Sequence, residues 1–387
     1  MKHRIRHLTE FARHFFLLEA AGGVVMLAFA ALAIALANSP FSQGYQTLIH
    51  APLFGHFHVS SFTKDVLMVI FFFAIGMELK IEMREGALAE KGQKILPLIA
   101  ALGGIAVPAL LYLTITRNQP QLQSGWAIPT ATDIAFAMCV LRLIGSAVPT
   151  SAKIFLLAIA IYDDLAAIVI IAFFYSSGVA LMPLGILAAL AALLYGLNRA
   201  HVSSLIPYLA IGVALWFTLH AAGIHPTVAG VMTGIAIPMR RRDGTPLLAA
   251  SLHRLHPFVA FAILPLFAFT SAGVDLRTIP MAQAFSALPV GIALALFFGK
   301  QIGILGATWL AVTLRIAALP GGVNWRMVYG VAVLAGIGFT MSLFIGKLAF
   351  TDALLLDDVK LGVLAGSLLS TLWGLLYLRL RAPKPLS

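Results

Sequence analysis

The chain has 387 residues, is 60% hydrophobic and only 11% charged, and its mean hydropathy is +0.97. That leaves too little polar surface to cover a soluble fold of this size, so the chain reads as an integral membrane protein. Its net charge of +11 does not mark a nucleic-acid binder once the basic residues are placed, and its single cysteine, Cys139, excludes a disulfide framework and a thiolate metal cluster.

The N-terminal MKHRIRHLTEFARH, followed by apolar residues, has the look of a signal peptide, with Ala35-Leu36-Ala37 as a cleavage site. The apolar stretch from Phe15 to Ala37 exceeds the usual signal core of about 7–15 residues, so a retained first helix is expected. Apolar windows between short polar or Pro/Gly-containing connections predict twelve spans. They lie at 15–37, 64–84, 95–116, 126–143, 153–175, 180–198, 205–221, 225–239, 254–274, 286–314, 327–347 and 359–380. The eighth, HPTVAGVMTGIAIPM, is short and rich in small residues, which suits tight packing inside a bundle. The connection after the first span, NSPFSQGYQTLIHAPLFGHFHVSSF, has Gly and Pro punctuation, and its HFHV alternates at a strand's period of two. A β-hairpin there has edges that can pair with a second subunit, making a homodimer through residues 38–62; a loop capping its own subunit fits the pattern equally well.

The basic residues orient these spans. The N-terminal arm, every second connection and the tail together hold 20 of the 26 Lys and Arg; the other connections hold Lys64, Arg117, Arg277, Lys347 and Lys360. Under the positive-inside rule both termini are cytoplasmic, and an even number of spans is self-consistent. Most of the 15 acidic residues lie in connections or near span ends. Asp65 is at the outward end of the second span, and Glu78 and Glu82 are toward its cytoplasmic end. Asp133, Asp163 and Asp164 remain at depth, with Lys300 the only basic residue there. Each such charge costs about 2.5–3.5 kcal/mol on insertion scales, and charges at bilayer depth usually mark ion or proton pathways. The alternative is an Asp–Lys pair that only fixes helix packing. Consecutive helix residues are about 100° apart, so Asp163 and Asp164 point to different places: one can face a cavity while the other reaches a neighbouring helix, such as the one bearing Lys300. Burial disfavours the charged form of acid and base alike, which lets such groups exchange protons.

Two spans carry breaks. In GWAIPTATDIAFAMCVL, Pro129 lacks an amide donor, Thr130 and Thr132 can bond freed carbonyls, and Asp133 follows. In VYGVAVLAGIGFTMSLFIG, Gly336 and Gly338 flank one residue, and Thr340 and Ser342 come next. Taken alone, such glycines serve close helix packing; together with three buried aspartates they point to the discontinuous helices of secondary transporters. The breaks fall in the fourth and eleventh spans, the middles of triplets 3–5 and 10–12, which enter the membrane from opposite sides. The fold class expected is therefore an all-α membrane protein of twelve transmembrane helices with an inverted repeat of helices 3–5 and 10–12, discontinuous helices 4 and 11, and a small hairpin after helix 1. Where the breaks cross, Asp133 suits the positive half-helix N-termini and Lys300 the negative C-termini.

GWAIPTATDIAFA, the DD pair in AIYDDLAAI, FFGK with Lys300, AGIGFTMSLFI and FFFAIGMELK resemble the NhaA family of bacterial sodium–proton antiporters over nearly the whole chain. An inverted repeat is a known feature of that family. The resemblance implies export of Na+ or Li+ in exchange for protons across the bacterial inner membrane, without enzymatic activity or cofactor. It divides the chain into a core bundle (about 94–175 and 286–382) and an interface bundle (about 12–90 and 180–276). It implies that Asp164 and Asp163 bind the ion and the protons, Asp164 being the direct sodium ligand. Thr132 and Asp133 would form the unwound part of helix 4 beside them, and Lys300 would pair with Asp163 and release it when sodium binds. Asp65 would have a supporting structural role. Glu78, Glu82, His225, His253 and His256 match positions at the cytoplasmic funnel or interface linked to pH response, although each histidine alone also fits a packed or capping role. Leu252, Ile81, Ala249 and Ala250 are uncharged where strongly pH-activated members carry charge, so a shallow alkaline activation is expected.

Two other classes share single features with this chain. Tyr162-Asp163 resembles the YD motif of intramembrane aspartyl proteases, but the companion GxGD motif is represented only by Gly336-Ile337-Gly338-Phe339, without an aspartate. Such an enzyme also needs neither a buried lysine nor twelve spans. A cation channel would carry current without proton coupling, and the alternating broken repeats argue against it.

Overall fold

The computed structural model describes residues 2–55, 57–86, 91–145, 148–176 and 181–381, with the side chains of 2–19, 54, 91–93, 181, 182 and 381 left outside the description. Of the charges placed above, the side chains of Lys2, Arg4, Arg6, Arg13, Glu10, Glu19, Lys91 and Arg381, and all of Glu90 and Lys384, lie outside it. So does His56 of the hairpin.

Helix α1 (Lys2–Ala37) is one 36-residue rod that begins well before the apolar span at Phe15. After α2 (Ser42–Ile49) come β1 (Pro52–Phe54) and β2 (Phe57–His58), an antiparallel pair with Pro52 opposite His58 and Phe54 opposite Phe57. The chain continues through α3 (Val59–Phe62), a π-helical turn at Thr63–Leu67, α4 (Met68–Arg84) and α5 (Lys91–Ile115). The fourth span departs from the sequence expectation. Its first half, Pro120–Thr130, is wound as 3₁₀ turns, residues 131–133 are extended, and only α6 (Ile134–Ile144) is α-helical. Proline at the start and at position 129 removes two amide donors from that half, which weakens an α-helical ladder.

Next come α7 (Thr150–Phe174), α8 (Leu181–Arg199), α9 (Ile206–Ala221) and α10 (Thr227–Ala236). The ninth span starts earlier than expected, as α11 (Leu247–Phe258), a π turn at Val259–Ile263, and α12 (Leu264–Ala272). The short α13 (Met281–Ala284) leads into α14 (Ala287–Leu294), a third π turn at Ala295–Gly299, and α15 (Lys300–Thr313). The chain ends with α16 (Trp325–Leu334), α17 (Phe339–Ala349) and α18 (Ala353–Arg381), the last starting six residues before the apolar window.

Among the described residues, six helices are long and apolar enough to cross a bilayer, or eight if each bent pair is one span. The bent pairs are Pro120–Thr130 with α6, at 47°, and α16 with α17, at 46°. Helices α5 and α15 pack closely because Gly103 and Gly303 face each other: a Cβ on either would collide with the other's carbonyl oxygen. These glycines belong to the segments expected as the third and tenth spans.

Candidate ion-binding site at the crossing of two broken helices

The two breaks cross where the first is extended chain and the second a turn. The Asp133 backbone N–H donates to the Ile337 carbonyl at 2.7 Å, tying one break to the other. Asp133 is the N-cap of α6, its Oδ1 accepting from the Phe136 N–H at 3.0 Å. Its Oδ2 accepts from the Thr340 N–H, also at 3.0 Å, and from the Thr340 hydroxyl, in the first turn of α17. One carboxylate thus caps two half-helices at their positive ends, where an anion is favoured. The opposite ends are satisfied by hydroxyls: Ser342 donates to the Ile128 carbonyl at 2.7 Å, Thr130 to that of Ala127 at 2.8 Å, and Thr132 Oγ1 lies 2.8 Å from that of Ala335. At Gly336 a Cβ would come within 2.5 Å of the Leu296 carbonyl, so only glycine lets the break approach the π turn that precedes Lys300.

The paired aspartates of α7 face different ways. Asp163 Oδ2 accepts from Lys300 Nζ at 2.6 Å, with both side chains fully buried. Thr132 Oγ1 is 2.7 Å from the same oxygen and accepts from Lys300 Nζ at 3.1 Å. With a single proton, the Thr132 hydroxyl serves either Asp163 or the Ala335 carbonyl at one time. Lys300 therefore meets the C-terminal end of α16 through Thr132, indirectly. Asp164 instead lines a cavity of about 50 Å³ whose polar walls are Glu78, Thr132, Asp133, His256 and Thr340. That volume admits only a few water-sized species. One oxygen of each aspartate, Asp163 Oδ1 and Asp164 Oδ1, is buried and accepts no hydrogen bond from the protein. Buried carboxylate oxygens are normally satisfied, so these two mark places where a cation or proton would be held.

The remaining candidates divide by position. Glu78 and His256 line the cavity. Glu82 follows one turn later on α4, and His253 is exposed one turn before His256 on α11. His225, expected with them, lies elsewhere: its Nδ1 is 2.8 Å from Thr227 Oγ1 at the start of α10, and its ring meets Phe344 edge-on at 5.5 Å. The turn between α9 and α10 carries it to the end of the bundle that also holds Lys64. Asp65 is at that end too, paired with Lys64 at 3.4 Å, its carbonyl accepting from the Trp216 indole at 3.1 Å. Pro129, Gly336 and Gly338 all lie at the breaks. The role of Thr340 escaped the sequence reading; its hydroxyl two residues beyond Gly338 was the available signal.

The sequence matches the model of the family described as "Na+/H+ antiporter 1" over residues 13–378. The chain belongs to that family. It is 50% identical to "Na(+)/H(+) antiporter NhaA 2" of Pseudomonas syringae pv. tomato, covering 94% of this chain and 93% of that one. It is 48% identical to "Na(+)/H(+) antiporter NhaA" of Sphingopyxis alaskensis, covering 96% and 91%. It is 46% identical to that of Vibrio parahaemolyticus, covering 97% and 99%. A solved structure, the sodium proton antiporter MjNhaP1 from Methanocaldococcus jannaschii, is similar in fold with a TM-score of 0.52 at 12% identity, over 97% of this chain and 99% of that one. Members of the Na+/H+ antiporter 1 family are transporters, which sets the protease reading aside.

Proposed function

We propose that this chain exchanges Na+ or Li+ for protons, the cation and protons competing for Asp164 and Asp163. The observation that carries this reading is Asp164 itself, which lines the cavity and has a buried, unpartnered Oδ1, one residue from the buried Asp163–Lys300 pair. In the cation-free protein Asp163 is held by Lys300. A small hard cation entering the cavity meets Asp164 first, with the Thr132 oxygen beside it. Asp163 then leaves Lys300 for the cation, and protons depart from Asp164 and Lys300. Asp133 remains bonded to both half-helix N-termini and keeps the crossing assembled.

The same reading extends to topology. The twelve-span arrangement is reached by adding α4 and the shorter apolar helices α8, α9 and α10 to the eight spans counted above, with both termini cytoplasmic in the inner membrane. Movement of the core bundle against the interface bundle would carry the loaded site between the two faces, and the β1–β2 hairpin would join two copies. The test is Na+-driven proton movement in everted vesicles. Asp164→Asn and Asp163→Asn should each abolish exchange while leaving the protein in the membrane. Unchanged exchange in both would remove the mechanism.

A further inference from the structure

Bordering the ion cavity, on the side away from Glu78 and His256, three fully buried aromatic rings meet. Phe344 of α17 lies 5.4 Å from Phe72 of α4 and 6.1 Å from Phe267 of α12, ring centre to ring centre. Each ring stands three residues beyond a cavity-lining residue of its own helix, Phe72 from Ile75, Phe267 from Leu264 and Phe344 from Met341, and on α4 the wall ends at Phe71, next to Phe72. Helix periodicity puts such pairs on one face, a turn apart. Because α4 runs opposite to α12 and α17, all three steps lead toward the Lys64 end. One turn further, Lys347 lies over the Phe267 ring at 5.4 Å and donates to Ser271 Oγ at 2.9 Å, with the Thr270 carbonyl at 3.5 Å. Phe344 and Lys347 belong to the helix that bears the break; Phe72, Phe267 and Ser271 belong to the helices facing it.

Resting on the antiporter reading above, we propose that these three phenylalanines close the ion cavity toward the Lys64 face, and that Lys347 is the positioning residue that holds them closed by bonding α17 to the end of α12. Three interlocked rings leave no polar partner for a hydrated ion. A cation can pass only when α17 parts from α4 and α12, and that movement must break the Lys347–Ser271 bond. Loss of the bond therefore shifts the protein toward the state open at the Lys64 face, without changing any group that touches the ion.

The test uses one reporter cysteine in the cavity wall, Ala74→Cys, in a Cys139→Ala background, with a membrane-impermeant maleimide applied to right-side-out and everted vesicles. Lys347→Met should raise labelling from the Lys64 face about fivefold, the shift that one hydrogen bond makes in a two-state equilibrium. Labelling from the other face should not rise. Lys347→Arg, which keeps a donor for Ser271, should label like the parent. Phe344→Ala should also raise labelling from the Lys64 face; if it fails to insert, the two Lys347 variants still decide. Labelling unchanged in Lys347→Met, or raised equally from both faces, overturns the proposal. Exchange measured in the Cys139→Ala parent separates the two readings. No Na+-driven proton movement there removes the antiporter reading, whereas normal exchange with unmoved labelling removes the barrier alone.

Discussion

Asp163 and Asp164 are chemically identical neighbours with different surroundings, and the cause is the 100° step between helix residues. Asp163 spends its Oδ2 on Lys300 and Thr132, while Asp164 faces the cavity. That split was legible in the sequence, because Lys300 is the one basic residue at span depth among three aspartates. The part of Thr340 was not, because its distance from Asp133 depends on two breaks 200 residues apart crossing in space. The Asp163–Lys300 pair is fully buried, so each charge depends on the other. Lys300→Ala leaves a buried carboxylate with only Thr132 beside it and should destabilise the protein by about 3–5 kcal/mol. Adding Asp163→Asn removes the orphan charge, so the double variant should unfold at a higher temperature than Lys300→Ala alone, as followed by thermal unfolding in detergent. A double variant no more stable than that single one would show that charge isolation is not what destabilises it.

At the scale of elements, the broken spans were legible from Pro129 and from the paired glycines, but their internal form was not. A proline predicts a missing donor; it does not distinguish 3₁₀ turns from a kinked α-helix. The three π turns, at Thr63–Leu67, Val259–Ile263 and Ala295–Gly299, left no trace in the hydropathy pattern. The third packs tightly at Gly299, where a Cβ would meet the Pro108 backbone at 2.8 Å. The place of His225 was not legible for the same reason: sequence position does not say to which end of a bundle a short turn delivers a side chain. The crossing has two separable supports, contact with the Lys300 helix and the shared carboxylate cap. Gly336→Ala pushes a methyl group into the Leu296 carbonyl and should abolish exchange while membrane insertion persists, checked by flux and protein level in the same vesicles. Thr340→Val removes one of the bonds to Asp133 and keeps the backbone one. It should cost about 1.5 kcal/mol of stability, the low end for a hydrogen bond to a charged group, as read from thermal unfolding.

Over the whole molecule, what matters is how much charge a complete cycle moves. Break position and the Asp–Lys set were both legible because membrane burial makes each of them costly and therefore conspicuous. The mechanism proposed above returns two protons, one to Asp164 and one to Lys300, for each monovalent cation that leaves. One net positive charge then enters per cycle, so an inside-negative potential should drive cation export. Moving one charge through 100 mV is worth about 2.3 kcal/mol, which multiplies the attainable Na+ ratio about fiftyfold. In proteoliposomes clamped by K+ and valinomycin, with equal pH on both sides, imposing 100 mV negative on the cytoplasmic side of the protein should by itself drive Na+ out from that side. Reversing the potential should reverse the flux. Potential-independent flux in the unmodified protein would mean that Asp163 and Lys300 stay paired throughout the cycle and that Asp164 alone does the exchange.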